Sequence, residues 1–511
     1  MKINRKRGRY SRHLLCLLLA ALVSAPQTYA SPSRGKGFDR FESIRELIRR
    51  KLADGSAPSI SVAVAQHGKI VWEEGFGWAD RERKIPATEN TVYSLASVSK
   101  PFTATGLMTL VQAGKIDLDK PIDDYLGEAK LKGWAGDARQ ATVRRVANHS
   151  SGLPLHAQFF VRNGPYPVPS DDETIRRYGN IVTVPGQRFQ YSNIAYGILG
   201  YVASRVSGQS YADFMRDAVF RKLGLTHTSV DIPPGLAASV AVRYDEKGVP
   251  IPLYDSDHPG ACAVYSSAHD LIRFGMFHLK DHLADQLAIL SDASIDEMHR
   301  STINTGKART NNGNRYGVGW GVGDNRADDY RTLAHGGGMA GVSTELILVP
   351  SEDLAVAVLI NARDNDSAYP VANAILKVLL PKWQMPVRPQ PAPAPFHPDA
   401  TLLGTWRGTL HTYQGDVPAT LTILPDSEPQ VKLGTGLASL LNQAQLQDGE
   451  LTGQAWGDLG IEDAQRRQGY TLSFGLDLRG NVLSGPVSAG SVAGDSVNRG
   501  ALTQWLELKK Q

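Results

Sequence analysis

The chain has 511 residues, 42% of them hydrophobic and 21% charged, which is enough for two or three globular domains. Its net charge of +4 originates in residues 1–30, which carry six basic residues and no acidic one; the rest of the chain has a net charge of −2. This balance gives no reason to expect a nucleic-acid partner, and none is predicted.

Residues 1–30 have the three-part layout of a secretory signal peptide. Basic residues come first, an apolar run extends from Leu14 to Val23, and small residues end the segment at Ala30. The run is shorter than the ~20 residues that span a bilayer, although an uncleaved anchor is the alternative. We therefore expect a periplasmic or secreted protein without a stable membrane anchor. Cys262 would then be the only cysteine, and we expect it to be a small buried residue.

Residues 31–384 are predicted to form one α+β domain. Helical periodicity at 38–53 precedes two apolar runs that read as a β-hairpin, and two further strand-like runs precede a last helix. The runs are Ile60–Ala65, Ile70–Phe76, Glu345–Val349, Leu354–Ile360 and the helix Ala372–Leu380. The residues between are mostly helical in pattern. This order predicts an antiparallel sheet flanked by helices, with a mostly helical subdomain.

The first candidate site is Ser97-Val98-Ser99-Lys100, followed by an apolar, helix-compatible run from Phe102 to Val111. Residues three apart share a helix face, so the Lys100 amine can reach the Ser97 hydroxyl. A serine becomes a nucleophile when a neighbouring base takes its proton, and a lysine can be that base if burial lowers its pKa. The alternative is that Ser97 only caps the helix.

Two later stretches carry further candidates. Tyr191-Ser192-Asn193 closes a loop before an apolar helix, where turn and cap chemistry is the alternative function. His335-Gly336-Gly337-Gly338 begins a strand-like segment, and the missing side chains would let a ligand backbone lie along it. The alternative there is a flexible glycine turn with a surface histidine.

These three stretches, in this order, resemble the penicillin-recognising serine hydrolase family. That family includes class C β-lactamases, D-alanyl-D-alanine carboxypeptidases, D-aminopeptidases and related esterases. Its motifs are Ser-x-x-Lys, Tyr-x-Asn, and Lys-Thr-Gly or His-x-Gly, and the resemblance covers about residues 38–382.

The resemblance implies a set of roles. Ser97 would attack a carbonyl and form an acyl-enzyme, while Lys100 and Tyr191 would share the proton transfers. Asn193 would bind Lys100 and a substrate amide. Backbone N–H groups of Ser97 and of the glycine strand at Gly337 and Gly338, above all the Gly338 N–H, would hold the oxyanion.

His335 departs from the lysine that β-lactamases and transpeptidases usually carry. A histidine is mostly neutral at pH 7, so an anionic substrate loses a fixed positive charge. The substitution resembles the D-aminopeptidase and esterase branches. We therefore expect hydrolysis of an ester or amide, such as a D-amino-acid peptide, with weak β-lactam turnover at most. A β-lactamase or D-Ala-D-Ala carboxypeptidase is one alternative, and a sensor that binds penicillin or cell-wall fragments is another.

No cofactor and no metal site is predicted, because no histidine cluster has zinc-ligand spacing in the sequence. The expected partner is a small-molecule or peptide substrate, and no oligomeric state is predicted.

A proline-rich linker is predicted at 385–398, and residues 399–511 alternate in hydrophobicity. About eight short strands would make a small, nearly closed all-β barrel. This region weakly resembles the lipocalin-like barrels appended to some D-aminopeptidases. It would bind a ligand, limit substrate size at the active-site mouth, or simply cover a surface.

Overall fold

A computed structural model describes residues 39–303, 315–323, 329–362, 368–385, 396–398, 400–425, 427–466, 470–491 and 500–511. The chain from Phe41 to Gln511 forms one unit and residues 1–40 form another. The predicted signal peptide at 1–30 and most of the predicted linker lie outside the described residues, so both stay predictions. Among the described residues, no helix combines the length and apolar character that crossing a membrane requires.

The helices of the described residues are α1 Glu42–Ala53, α2 Ser99–Gln112, α3 Val143–Ala147, α4 Asp171–Tyr178, α5 Asn193–Ser207, α6 Tyr211–Met215, α7 Pro259–Cys262, α8 Ala268–Leu279, α9 Asp292–His299, α10 Ala368–Leu379 and α11 Glu462–Gln465. The strands are β1 Ser59–Gln66, β2 Lys69–Asp80, β3 Ile85–Pro86, β4 Tyr93–Ser94, β5 Lys132–Gly133, β6 Phe159–Val161, β7 Asn180–Ile181, β8 Ser229–Val230, β9 Tyr254–Ser256, β10 Val264–Ser266, β11 Arg315–Tyr316, β12 Gly321–Gly323, β13 Thr332–Met339, β14 Val342–Val349, β15 Leu354–Ile360, β16 Gly404–Thr412, β17 Gly415–Ile423, β18 Gln430–Leu433, β19 Ser439–Leu440, β20 Asn442–Gln447, β21 Glu450–Trp456, β22 Tyr470–Arg479, β23 Val482–Ser491 and β24 Ala501–Lys510.

An eight-stranded antiparallel sheet organises the first part of the chain, in the order β11-β12-β13-β14-β15-β1-β2-β3. The early strand β1 pairs with the late strand β15, with Val62 opposite Val358, so the two ends of this region meet in the sheet. Helices α1 and α10 cover one face through a shared apolar cluster, and α8 packs on the other. The predicted α+β class, with helices flanking an antiparallel sheet, is confirmed.

Helix α2 is the central helix of the mostly helical subdomain. Nearly all of its residues are buried, including Phe102 and Leu107, because α5 and α7 pack against it. A helix that is apolar all round belongs in a core rather than at a surface. Its N-terminus therefore sits at a rigid position, next to β13 of the sheet.

The C-terminal region forms a nine-stranded antiparallel sheet in the order β19-β18-β17-β16-β24-β23-β22-β21-β20, and β19 returns close to β21. Inward-facing residues such as Leu421, Leu472 and Leu506 are buried in its interior. The expected nearly closed all-β arrangement is confirmed, with nine strands instead of about eight.

This C-terminal sheet packs directly on the helical subdomain. Strand β24 bridges to residue 157 through a backbone pair between Ala157 and Ala501. The buried carboxylate of Asp463 accepts hydrogen bonds from Tyr178 at 2.6 Å and from Arg177 at 3.0 Å, both on α4. The contact is therefore a polar, partly buried interface.

Candidate active site

Ser97 lies in a 3₁₀ turn at Ala96–Val98, directly before α2. The preceding Ala96 adopts a φ of +47°, a left-handed conformation that a residue with a Cβ rarely adopts. This sharp turn leaves Ser97 partly exposed while its neighbours on both sides are buried. Lys100, in the first turn of α2, places its amine 3.0 Å from Ser97 Oγ.

The Lys100 amine is completely buried and lies among oxygen atoms. It contacts Asn193 Oδ1 at 2.8 Å and the Ala261 carbonyl at 3.2 Å. Burial lowers the pKa of Lys100 to about 7, although the neighbouring Cys262 opposes this shift. A neutral amine has two N–H groups, which these two oxygens can accept, so its lone pair is left for the Ser97 hydroxyl proton.

Tyr191 covers this amine, with its ring centre 4.8 Å from Lys100 Nζ. Burial raises the pKa of the Tyr191 phenol, while a hydrogen bond with Ser97 acts in the opposite direction. The phenol is therefore protonated at neutral pH. The resemblance implied that Lys100 and Tyr191 share the proton transfers. The lowered pKa of Lys100 and the raised pKa of Tyr191 are compatible with a lysine that accepts a proton and a phenol that donates one.

Asn193 starts helix α5, whose first turn is capped by the Ser192 hydroxyl accepting from Ala195 N at 3.1 Å. Helix capping was the alternative function for this stretch, and the residue that caps the helix is Ser192. The Asn193 side-chain amide can therefore bind other partners. Besides accepting from Lys100, Asn193 donates through Nδ2 to the His156 carbonyl at 2.7 Å.

The glycines of β13 let this strand lie against the Ser97 turn. A Cβ on Gly337 would fall within clashing distance of the Leu95 carbonyl and Thr344 Oγ1, and 3.2 Å from Ser97 N. Gly336 and Gly338 are exposed. Within the described residues, β12 pairs only with residues 332–334 of β13, so the strand edge beyond them is open for a substrate.

His335 is buried and both its ring nitrogens contact the protein. Nδ1 donates to the Gly336 carbonyl at 2.8 Å, so Nε2 accepts from the Tyr316 hydroxyl at 2.9 Å. Burial, followed by the positive charge of Lys100, lowers the pKa of His335 to about 3. The imidazole is neutral at physiological pH and supplies no positive charge.

The sequence reasoning gave no role to His149, which lies beneath the site with a φ of +62°. Its ring centre is 4.5 Å from that of Tyr191, and its Nδ1 accepts from Ser192 N at 3.1 Å. Burial holds the pKa of His149 well below its usual range. The only sequence feature that could have drawn attention to His149 is the segment His149-Ser150-Ser151-Gly152, which resembles the family's sequences but indicates no role for the histidine.

The sequence also missed a buried group of side chains behind Asn193, formed by His156, Asp257 and His258. Of the described residues, this is the one group that brings three metal-ligand atoms together, within 4.8 Å of one another. One nitrogen of each imidazole already lies at hydrogen-bond distance from the Asp257 carboxylate, His156 Nε2 at 2.9 Å and His258 Nδ1 at 2.7 Å. A metal ion would have to displace both bonds, so the geometry fits a hydrogen-bonded network better.

With this geometry in place, the chain can be compared with known proteins. The model of the Beta-lactamase family matches residues 44–380, well over half of the chain. The chain belongs to this family, and Ser97 and Lys100 lie within the residues that the family model matches.

Two curated relatives illustrate the match. Protein flp of Staphylococcus aureus (strain N315) is 24% identical over 339 residues, which cover 63% of this chain and 63% of that protein. Penicillin-binding protein 4* of Bacillus subtilis (strain 168) is 29% identical over 346 residues, covering 62% of this chain and 70% of its own. The chain thus spans less than two thirds of the length of protein flp.

Two solved structures share the fold. The crystal structure of SurE with D-Leu has a TM-score of 0.61 at 21% identity and covers 92% of this chain and 99% of its own. The structure of EstCE1, described as a hydrolase with promiscuous acyltransferase activity, has a TM-score of 0.56 at 20% identity and covers 65% and 97%. The structural similarity to SurE includes the C-terminal sheet, whereas the similarity to EstCE1 does not extend over the whole chain.

Proposed function

We propose that this protein is an exported hydrolase that cleaves an ester or amide bond, such as that of a D-amino-acid peptide, through an acyl-enzyme on Ser97. One observation carries the proposal: the fully buried Lys100 amine lies 3.0 Å from Ser97 Oγ, and the pKa of Lys100 is lowered to about 7. Export is supported by the signal-like layout of residues 1–30.

The proposed reaction has two halves. Lys100 takes the Ser97 proton as Oγ bonds to the substrate carbonyl carbon, and backbone N–H groups of Ser97 and Gly338 bind the oxyanion. The scissile bond then breaks and the leaving group receives a proton through Lys100 or Tyr191. Water next attacks the acyl carbon and gives a proton to Lys100. Lys100 passes this proton to Ser97 Oγ as the bond between Oγ and the acyl carbon breaks, which releases the acid and free Ser97.

The environment of His335 supports an ester or neutral amide over a penicillin. A substrate carboxylate gains little from a neutral imidazole whose nitrogens already contact Tyr316 and Gly336. Two of the similar structures agree with an ester or amide substrate. SurE was crystallised with D-Leu, and EstCE1 is described as a hydrolase.

The name of Penicillin-binding protein 4* favours the alternative, a β-lactamase or carboxypeptidase. A sensor that only binds cell-wall fragments is the non-enzymatic alternative. A neutral, buried amine aimed at a serine has no use in such a sensor, because binding alone requires no base.

Labelling with a fluorophosphonate, in which an activated serine oxygen attacks phosphorus and fluoride leaves, tests Ser97 as the nucleophile. We expect the parent protein to be labelled at Ser97 and the Ser97→Ala variant to remain unlabelled. Ser99→Ala is the matched control, because this second serine of the same stretch is buried and accepts from Val264 N at 3.0 Å instead. A label on another residue would refute the assignment of the nucleophile.

A substrate panel tests the substrate class. It contains short-chain p-nitrophenyl esters, matched D- and L-amino-acid amides, muropeptides and nitrocefin. We expect the esters or D-amino-acid amides to be the best substrates. Nitrocefin turnover as fast as that of a dedicated β-lactamase would refute the proposed class.

We also propose that residues 399–511 form a lipocalin-like accessory barrel and that this barrel borders the substrate cleft. Arg188, three residues before Tyr191, pairs with Glu450 on β21 at 3.1 Å. Beside Glu450 lies a groove of about 510 Å³ lined by polar side chains that include Gln454, Ser473 and Ser488.

The Glu450→Gln variant tests whether the barrel limits the size of the substrate. It should raise KM for muropeptides but not for small esters. Equal effects on both substrates would exclude a role of the barrel in selecting substrates by size.

A further inference from the structure

Two backbone carbonyls hold the polar groups of the candidate site from behind. The Ala261 carbonyl accepts from the Lys100 amine at 3.2 Å, and the His156 carbonyl accepts from Asn193 Nδ2 at 2.7 Å. Since Asn193 also binds Lys100, the position of the base depends on both carbonyls.

Neither carbonyl belongs to an element that could fix it alone. His156 lies in an irregular segment between α3 and β6, and Ala261 lies in the four-residue helix α7. One turn of helix is not stable without tertiary contacts. Something else must therefore set the distance between these two segments.

Asp257 connects them. Its carboxylate accepts from His156 Nε2 at 2.9 Å and from His258 Nδ1 at 2.7 Å. All three side chains are at most 4% exposed. His156 carries the carbonyl that binds Asn193, and the His258 carbonyl accepts from Ala261 N at 2.9 Å, which links Asp257 to both anchoring points.

The same cluster sets the approach of helix α5, which begins at Asn193. A Cβ on Gly197 would meet His258 Cβ at 2.8 Å, and one on Gly200 would meet Gly260 Cα at 3.2 Å. The glycines thus let α5 lie directly on His258 and α7. A shift of His258 would be passed to Asn193 through this contact, because packed interiors leave little free space.

The charges of the cluster favour these bonds. Burial alone would raise the pKa of Asp257, but His156 and His258 hold it well below its usual range. Burial alone would lower the pKa of His258, yet Cys262 and Asp257 raise it to about 9. Asp257 and His258 are therefore an ion pair at neutral pH, and charge-assisted hydrogen bonds are the stronger ones.

We infer that Asp257, with His156 and His258, is a positioning centre that fixes Lys100 and Asn193 for proton transfer without touching the substrate. This role rests on the proposed function, since it concerns the formation of the acyl-enzyme on Ser97. Displacements of about 1 Å can cost about 100-fold in rate, so breaking the centre should slow acylation by that order.

The test measures the rate at which a fluorophosphonate phosphonylates Ser97 in full-length protein, a reaction that needs the same activated serine as acylation. Folding of each variant is checked by thermal unfolding. His156→Gln keeps a donor near the Nε2 position, whereas His156→Leu removes it. We expect His156→Leu and Asp257→Asn to be phosphonylated about 100-fold more slowly and His156→Gln to keep most of the rate. If Asp257→Asn does not fold, the two His156 variants carry the test.

A double-variant experiment separates positioning from a merely structural role. If Asp257 acts through Asn193, then Asp257→Asn and Asn193→Ala together should cost no more than the larger single loss. Losses that multiply, or a folded His156→Leu variant within about twofold of the parent, would overturn the inference. A parent protein that is not labelled at Ser97 would instead contradict the proposed function, so the two failures can be told apart.

Discussion

Lys100 is the residue whose surroundings depart furthest from those its side chain normally prefers. A lysine amine is usually solvated and charged, but here it is completely buried and enclosed by Ser97, Asn193 and Ala261. The cost of burying the charge lowers the pKa of Lys100 from 10.5 to about 7. We therefore expect both the proposed catalysis and the stability of the protein to depend on pH through this amine.

The pH dependence of kcat/KM on a neutral ester should show this. Only the neutral amine accepts a proton, so kcat/KM should rise with pH and level off above a midpoint of about 7. Lys100→Met should lose this acid limb together with about 10³-fold in rate. A rate that is flat between pH 5 and pH 9 would show that Lys100 is not the base.

The lowered pKa of Lys100 also determines whether the free energy of unfolding rises or falls with pH. The unfolded chain holds the Lys100 proton up to its ordinary pKa of 10.5, whereas the folded chain releases it near 7. Between these values the unfolded state binds more protons, so this group makes the free energy of unfolding rise with pH.

Tyr316 is expected to stabilise the protein through His335. Tyr316→Phe would leave the buried His335 Nε2, now 2.9 Å from the Tyr316 hydroxyl, without a donor. An unsatisfied buried group costs about 1–3 kcal/mol, which urea denaturation can measure. Tyr166→Phe at an exposed ring is the control, and equal losses in both variants would contradict the expected role.

At this scale the sequence predicted which residue types would meet but not how each is held. Ser97, Lys100, Tyr191 and Asn193 follow from local motifs and lie together. His335 was predicted as a substrate-binding residue, which stays a prediction; the sequence did not indicate that its buried ring would contact Tyr316. Such orientations depend on long-range packing that no local pattern encodes, and the Asp257–His156 bond joins residues 101 positions apart.

At the scale of elements, the contact between β13 and the Ser97 turn leads to a paired prediction. Gly337→Ala would drive a methyl group into the Leu95 carbonyl, so the strand must move away from Ser97. We expect a loss of about 1–3 kcal/mol in stability and of most fluorophosphonate labelling. In Gly336→Ala the new Cβ meets only the end of the Glu345 side chain at 2.9 Å, so that variant should keep more activity.

The elements themselves were largely predictable. Helix α1 follows from 3.6-residue periodicity, and the β1–β2 hairpin follows from two apolar runs separated by a short polar turn. His67-Gly68 supplies the two left-handed residues of that turn. The short strands β18 and β19 were harder to count, because four and two residues are too few to show alternation. In the structure β18 pairs with β17, and β19 pairs with β18.

At the scale of the whole molecule, Asp463 joins the C-terminal region to the helical subdomain. Its buried carboxylate accepts from Tyr178 and Arg177 of α4 and from Tyr413 of its own region at 2.9 Å. Burial tends to raise the pKa of Asp463, but these three partners lower it. The pair Arg177–Asp463 thus loses a compensating charge when either member is removed.

Asp463→Asn should therefore destabilise the full-length protein by about 3–5 kcal/mol in chemical denaturation. Asp477→Asn, which breaks only a surface pair with Arg479, should change the free energy of unfolding by about 0.5 kcal/mol or less. If the two variants unfold at the same denaturant concentration, the interface contributes little to stability.

Among the residues that the structure describes, no strand pairs with the edge of β13 beyond residue 334 on the β12 side, and this has a consequence for solubility. An uncovered strand invites other chains to join it and to aggregate, and proteins usually block such edges with charge or curvature. Here the edge is made of Gly336, Gly337 and Gly338, which have poor β-propensity and no side chains to interlock with a neighbour. This edge could bind a short ligand, but it is a weak template for the growth of an intermolecular β-sheet.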